Sequence, residues 1–221
     1  MARAIIRARV PPNALTLAGP VAMAFVFIPL LRGDAWTAGW LVLVAVSFDS
    51  LDGAVARRSR EVTRFGAYLD SVVDRYADLL LLFALLVYLL EFFDPAARST
   101  WLAAWCVALV GTVGTSYARA RAEKLIPGCA VGFFERPERV VTVIVGLLAG
   151  NLHMALLVSA AFTNLIAAQR ILYTRAVLEG REPTGRFAYW DYPRGSAQHT
   201  ALSFPIFLLL VFGHHLIPRP L

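Results

Sequence analysis

Stretches of close to twenty apolar residues recur along the whole chain, and this recurrence constrains the fold more than any other feature. A helical run of that length matches the hydrocarbon thickness of a bilayer. The expectation is an all-α integral membrane protein, a bundle of about six transmembrane helices plus a possible extra C-terminal apolar helix. A mean hydropathy of +0.63 over 221 residues would also allow one large soluble domain, but the repeated membrane-length runs decide against it. No linker or low-complexity stretch divides the chain, so residues 1–221 are expected to form a single polytopic domain.

In chain order, residues 1–13 carry Arg3, Arg7 and Arg9 beside Ile5, Ile6 and Val10, a basic amphipathic stretch suited to a membrane surface. No small-residue cleavage site follows the first apolar run, which reads as a retained span and not a signal peptide. Spans are expected over about 14–31, 36–56, 66–92 and 100–117, then from near Glu135 to Ala149, and over 152–173. Residues 174–198 form a polar cytoplasmic segment in which Tyr189, Trp190 and Tyr192 look like an interfacial belt. The apolar run 201–217 is long enough to cross, while Pro205 and the His214/His215 pair leave a re-entrant or surface-lying helix open.

The net charge of +6 would suit nucleic acid, but the arginines sit in short loops between apolar runs, where lipid headgroups and phosphorylated substrates explain them better. With the N-terminus cytoplasmic, the other side keeps Arg32, Arg98 and, if the last run crosses, Arg219. The asymmetry places the N-terminus, and the charged loops, on the cytoplasmic side of the cell membrane. Cys106 and Cys129 show neither metal-ligand nor disulfide spacing, and the four histidines show no HExxH-like spacing.

Residues 49–74 read DSLDGAVARRSREVTRFGAYLDSVVD, and they set four carboxylates inside this apolar background. Asp49 and Asp52 are three apart and Asp70 and Asp74 four apart, so on two helices each pair projects from one face. Unpaired carboxylates cost several kcal/mol or more in a low-dielectric interior, so four together must stay partly protonated or be neutralised by cations. Hard divalent ions with oxygen ligands are the natural partner. Gly53 and Ala56 share the face of the first pair, and Gly66 lies one turn before Asp70, so bulk is absent where the acids point. The turn from Arg57 to Arg64 is basic and suits a phosphate-bearing ligand. Two readings without catalysis compete: an ion-pair network of the acids with Arg57, Arg64 and Arg75, and a divalent-cation carrier. The carrier explains the acids but not Gly53, Ala56, Arg57 and Gly66 at fixed spacing, and acids within a membrane are functional by default.

Asp49, Asp52, Gly53, Ala56, Arg57, Gly66, Asp70 and Asp74 fit the pattern D-x2-D-G-x2-A-R-x8-G-x3-D-x3-D, and in this the chain resembles the CDP-alcohol phosphotransferase family. The resemblance implies a CDP-linked donor, usually CDP-diacylglycerol, and CMP as leaving group. Asp49, Asp52, Asp70 and Asp74 would hold two Mg2+ or Mn2+ ions, with Asp74 also the base for the incoming hydroxyl. Asp52, Gly53, Ala56, Arg57 and Gly66 would form the CDP site. The acceptor is read from Arg75, Arg119, Arg136 and Arg139, more cationic equipment than a neutral alcohol needs, so a phosphorylated polyol is expected.

The stretches FGAYLDSVVDRYAD, SYARARAE and GFFERPER look like the phosphatidylinositol-phosphate synthase branch and its archaeal ether-lipid counterparts, which implies inositol 1-phosphate as acceptor. Arg119 departs from the lysine expected there. The alternatives are a phosphatidylglycerophosphate synthase, an ether-lipid donor, CDP-inositol as donor, and the cation carrier. Gly111 and Gly114 in the fourth span suit helix packing or a dimer contact, and the family's habit of forming homodimers agrees with the latter.

Overall fold

The computed structural model describes residues 12–59 and 63–181 together with 208, 210 and 211; for 12, 13, 49–54 and 56–59 it describes the backbone alone. The surface segment expected over 1–13, apart from its last two residues, lies outside the described residues. So do 60–62 of the basic turn, the aromatic belt and most of the last apolar run. The chain forms two compact units, Met1–Phe93 and Asp94–Leu221.

The first unit contains α1 (Pro12–Ala24), α2 (Phe27–Leu31), α3 (Ala35–Ser59) and α4 (Arg64–Phe92). Helices α1 and α2 together form the apolar span Ala14–Leu31. It breaks at Phe25 and Val26 because Pro29 has no N–H to give the Phe25 carbonyl, which accepts instead from the Ile28 N–H at 3.1 Å. The Arg32-Gly33-Asp34 turn closes α2 and opens α3. Gly33, at φ 76°, lets the Asp34 N–H reach the Pro29 carbonyl at 2.9 Å, while the Asp34 carboxylate accepts from the Thr37 N–H at 2.9 Å. Helices α1 and α2 both pack on α3 and α4. Along α4 every fourth residue from Val73 to Leu89 is buried, a single stripe that faces the unit's interior. At 29 residues α4 is about 43 Å long, enough to cross a bilayer, though its first turns are charged.

The second unit contains α5 (Arg98–Ala122), α6 (Arg136–Leu148) and α7 (Leu152–Leu178). Helices α5 and α7 are both long and apolar enough to span. They meet at Gly111: a Cβ there would lie 2.0 Å from Thr163 Oγ1 and 2.6 Å from Asn164 Nδ2. Around this contact Thr115 Oγ1 donates to the Thr163 carbonyl at 2.7 Å and Asn164 Nδ2 to the Val107 carbonyl at 2.9 Å. Gly111 is thus the packing glycine; at Gly114 a Cβ would meet Ala167 at an ordinary 3.9 Å. Large apolar residues such as Val107, Val110 and Val113 remain exposed on α5, the side chains a helix turns toward lipid.

Two span ends differ from expectation. The fourth span was expected to stop near 117 and the sixth near 173, but α5 continues to Ala122 and α7 to Leu178. Arginines near a helix C-terminus complement its dipole, and the pairs Arg119–Glu123 and Arg175–Glu179 support the added turn at i,i+4. The first residues of the 174–198 segment are therefore helical. Helix α6 starts where expected, with the Glu135 N–H donating to Glu138 Oε2 at 3.0 Å. At the turn between α6 and α7, Asn151 Nδ2 donates to the Leu210 carbonyl at 2.9 Å, so Leu210 reaches that turn.

Candidate active site

The acids of the first unit arise from two helices. Residues 49 and 52 lie one turn apart on α3, with 53, 56 and 57 following on the same helix; the side chains at these positions are outside the described residues. Helix α4 opens on Thr63, whose hydroxyl accepts from the Gly66 N–H at 2.9 Å. That cap fixes where α4 starts, and so fixes Asp70 and Asp74 in its second and third turns, one above the other and both part-buried. Asp78 continues the face one turn deeper and is only 7% exposed.

Arg75 lies beside this row. Its Nη2 is 3.7 Å from Asp78 Oδ2 and 3.9 Å from Asp74 Oδ2. Sequence reasoning gave Arg75 a role but left Asp78 without one, although the spacing of four from Asp74 was the signal. Among the described residues no three His, Cys, Asp or Glu side chains converge as a metal site. Asp70 and Asp74 fit hard-cation ligands by chemistry and by their shared face, and the α3 backbone sets residues 49 and 52 about one turn apart.

The second unit carries the other arginines. Arg119 Nε donates to Glu123 Oε1 at 2.8 Å and its Nη1 to Glu135 Oε1 at 3.0 Å. The same Glu135 oxygen accepts from Arg170 Nη2 at 3.2 Å. Arg170 is 3% exposed and also donates to the Thr115 carbonyl at 2.8 Å and the Val131 carbonyl at 3.2 Å. It thereby ties α5, α7 and the loop 123–135 together. Reading the sequence missed this role, although an arginine inside the last turn of the apolar 152–173 run was the available signal. Arg119 and Arg139 lie within electrostatic reach of Arg170, Arg139 being buried, while Arg136 is part-exposed in the first turn of α6. In the same loop, burial pushes the Cys129 thiol up. The described geometry therefore gathers Arg119 and Arg170 on Glu135, with Arg139 within reach of Arg170, and sets Asp70, Asp74, Arg75 and Asp78 along α4.

The model of the CDP-alcohol phosphatidyltransferase family matches residues 9–179, which run from before α1 to just past the end of α7. The chain belongs to that family. This phosphatidyltransferase is 35% identical over 150 residues to the phosphatidylinositol phosphate synthase of Cutibacterium acnes, covering 66% of this chain and 70% of the relative. It is 34% identical over 173 residues to the archaetidylinositol phosphate synthase of Methanothermobacter thermautotrophicus, covering 76% and 84%. Among solved structures, it resembles the phosphatidylinositol phosphate synthase of Mycobacterium tuberculosis in complex with manganese and citrate. There the TM-score is 0.72 and the identity 29%, over 79% of this chain and 87% of the other. A second structure of that protein, with CDP-DAG bound, gives a TM-score of 0.71. The phosphatidyltransferase is thus an integral membrane enzyme, and the carrier reading is set aside.

Proposed function

We propose that this phosphatidyltransferase moves a phosphatidyl group from CDP-diacylglycerol to inositol 1-phosphate and releases CMP. The observation that carries the acceptor is that relatives from bacteria and from archaea, both above 30% identity, are inositol phosphate lipid synthases. The archaeal relative supports one second reading, an ether-linked CDP-lipid as donor.

In this reading Asp49, Asp52, Asp70 and Asp74 hold two divalent ions, Mg2+ or Mn2+, as four hard oxygen donors in two one-turn pairs are suited to do. Bound there, the ions would neutralise the donor's pyrophosphate and polarise the phosphorus under attack. Asp52, Gly53, Ala56, Arg57 and Gly66 receive the CDP moiety. The acceptor hydroxyl oxygen bonds to the lipid-bearing phosphorus, the bond from that phosphorus to the CMP oxygen breaks, and the hydroxyl proton passes to Asp74. Arg75, Arg119, Arg136 and Arg139 take the acceptor's phosphate, the charge-assisted pairing for which guanidinium is suited. The arginine distribution supports a site facing the cytoplasm from the cell membrane, and the family's habit of forming homodimers supports a dimer as the working form.

The test is CMP release by purified protein with Mg2+ or Mn2+ and ester or ether CDP-lipid. Inositol 1-phosphate, glycerol 3-phosphate, free inositol and serine are compared as acceptors. Release with inositol 1-phosphate and not the others is expected, and chelation should abolish it. Preference for glycerol 3-phosphate would overturn the acceptor, and release with the ether lipid alone would replace the donor.

A further inference from the structure

Asp78 has no part in the chemistry above, yet it is a carboxylate with 7% exposure in a membrane helix. Such a group needs a cation, and Arg75 Nη2 at 3.7 Å supplies one. The geometry of the pair has a further consequence. A long side chain on a helix leans toward the N-terminus, and an arginine near a membrane surface reaches for the headgroups. Asp78 lies three residues toward the C-terminus of Arg75 and draws the guanidinium the opposite way. Arg75 therefore stays beside Asp74, 3.9 Å from its carboxylate, with its side chain 37% exposed.

We infer that Asp78 is a positioning residue: it holds the Arg75 guanidinium at the depth of Asp74, where Arg75 meets the phosphate of the incoming acceptor. The inference rests on the acceptor role proposed for Arg75. It assigns Asp78 no contact with substrate or metal; the effect on the acceptor is the one passed on through Arg75.

The test uses full-length protein in detergent. Asp78→Asn and Arg75→Gln are each expected to raise the acceptor KM about tenfold, with kcat and the CDP-lipid KM changed by less than about threefold. In acceptor KM the double variant should be no worse than Arg75→Gln, because the loss that removing Asp78 causes there is already taken when Arg75 is gone. Additive losses, equal losses toward both substrates, or an unchanged acceptor KM would overturn the inference. Should Asp78→Asn not fold, Asp78→Glu keeps the charge but displaces the guanidinium. A raised acceptor KM is expected for it too, and a wild-type value overturns the idea. Calorimetric titration of Mn2+-loaded protein with inorganic phosphate separates this inference from the proposed function. If the wild type releases no CMP with any phosphorylated acceptor, that function fails, and the titration alone decides Asp78. Weaker phosphate binding in both single variants supports it, and wild-type affinity in Asp78→Asn overturns it.

Discussion

Replacing Gly111 by alanine should damage the second unit out of proportion to one methyl group. The added Cβ would sit 2.0 Å from Thr163 Oγ1 and 2.8 Å from Thr163 Cβ, and 2.6 Å from Asn164 Nδ2. Ordinary contact needs more than an ångström extra at the hydroxyl, so α7 must retreat or its side chains turn. Overpacking of this kind costs about 1–3 kcal/mol. The retreat also lengthens the hydrogen bonds from Thr115 to the Thr163 carbonyl and from Asn164 to the Val107 carbonyl. Each such interhelical bond contributes about 0.6 kcal/mol in a membrane. The sum is roughly 2–4 kcal/mol, set against a gain of up to about 1 kcal/mol from the better helix propensity of alanine. Gly114→Ala, with 3.9 Å to Ala167, is the control, expected to be neutral or slightly stabilising. Reversible unfolding in mixed micelles, by titration with a denaturing detergent, measures both. The reasoning is refuted if Gly111→Ala unfolds within about 0.5 kcal/mol of wild type, or if Gly114→Ala is as damaging.

Asp74→Asn should reduce turnover by about a thousandfold or more while CDP-lipid binding, followed by equilibrium dialysis, changes little. Near-normal turnover would remove Asp74 as the base. Arg136→Gln should raise the acceptor KM about tenfold at unchanged donor KM, and steady-state kinetics with each substrate varied would detect it. The Thr37 hydroxyl and N–H hold the Asp34 carboxyl below the usual carboxylate range. A lowered folded-state pKa favours folding fully above the unfolded pKa and loses that contribution as pH falls through the folded value. Stability measured from neutral to acidic pH should therefore fall less steeply in Asp34→Asn, which keeps a cap without the titration. An unchanged acid slope would count against the cap.

Much of the fold can be read from apolar run lengths because lipid imposes one dimension on every span. The turn at 32–34 falls in the gap between the spans expected over 14–31 and 36–56, and there Gly33 and Asp34 close one helix and open the next. The ends of α5 and α7 were not legible, because charge marks the edge of the bilayer and not the end of a helix; Arg119 and Glu123 extend α5 beyond the apolar run. The placing of residues 49 and 52 on one helix and 70 and 74 on the next was legible from their spacing, and the N-cap at Thr63 explains why Asp70 and Asp74 begin α4 as they do. Asp78 was harder to weigh, since an acid followed by an apolar run looks like the edge of a span until its burial is known. Arg170 was hidden differently. A sequence gives the depth of an arginine but not the direction of its guanidinium, and its three acceptors come from residues 115, 131 and 135, far away in the chain.

That arrangement of Arg170 makes the loop 123–135 a poor candidate for independent motion. One planar group answers two carbonyls and a carboxylate in different directions, and loosening any of the three segments leaves a buried cation short of an acceptor. The loop should therefore exchange its amide hydrogens together with the neighbouring turns of α5 and α7, as a single cooperative block. A lysine at 170 would keep the charge but, as a point donor, lose the fork that joins them. Slow exchange in this loop, where surface loops ordinarily exchange fast, would be the visible sign of one guanidinium acting as a keystone.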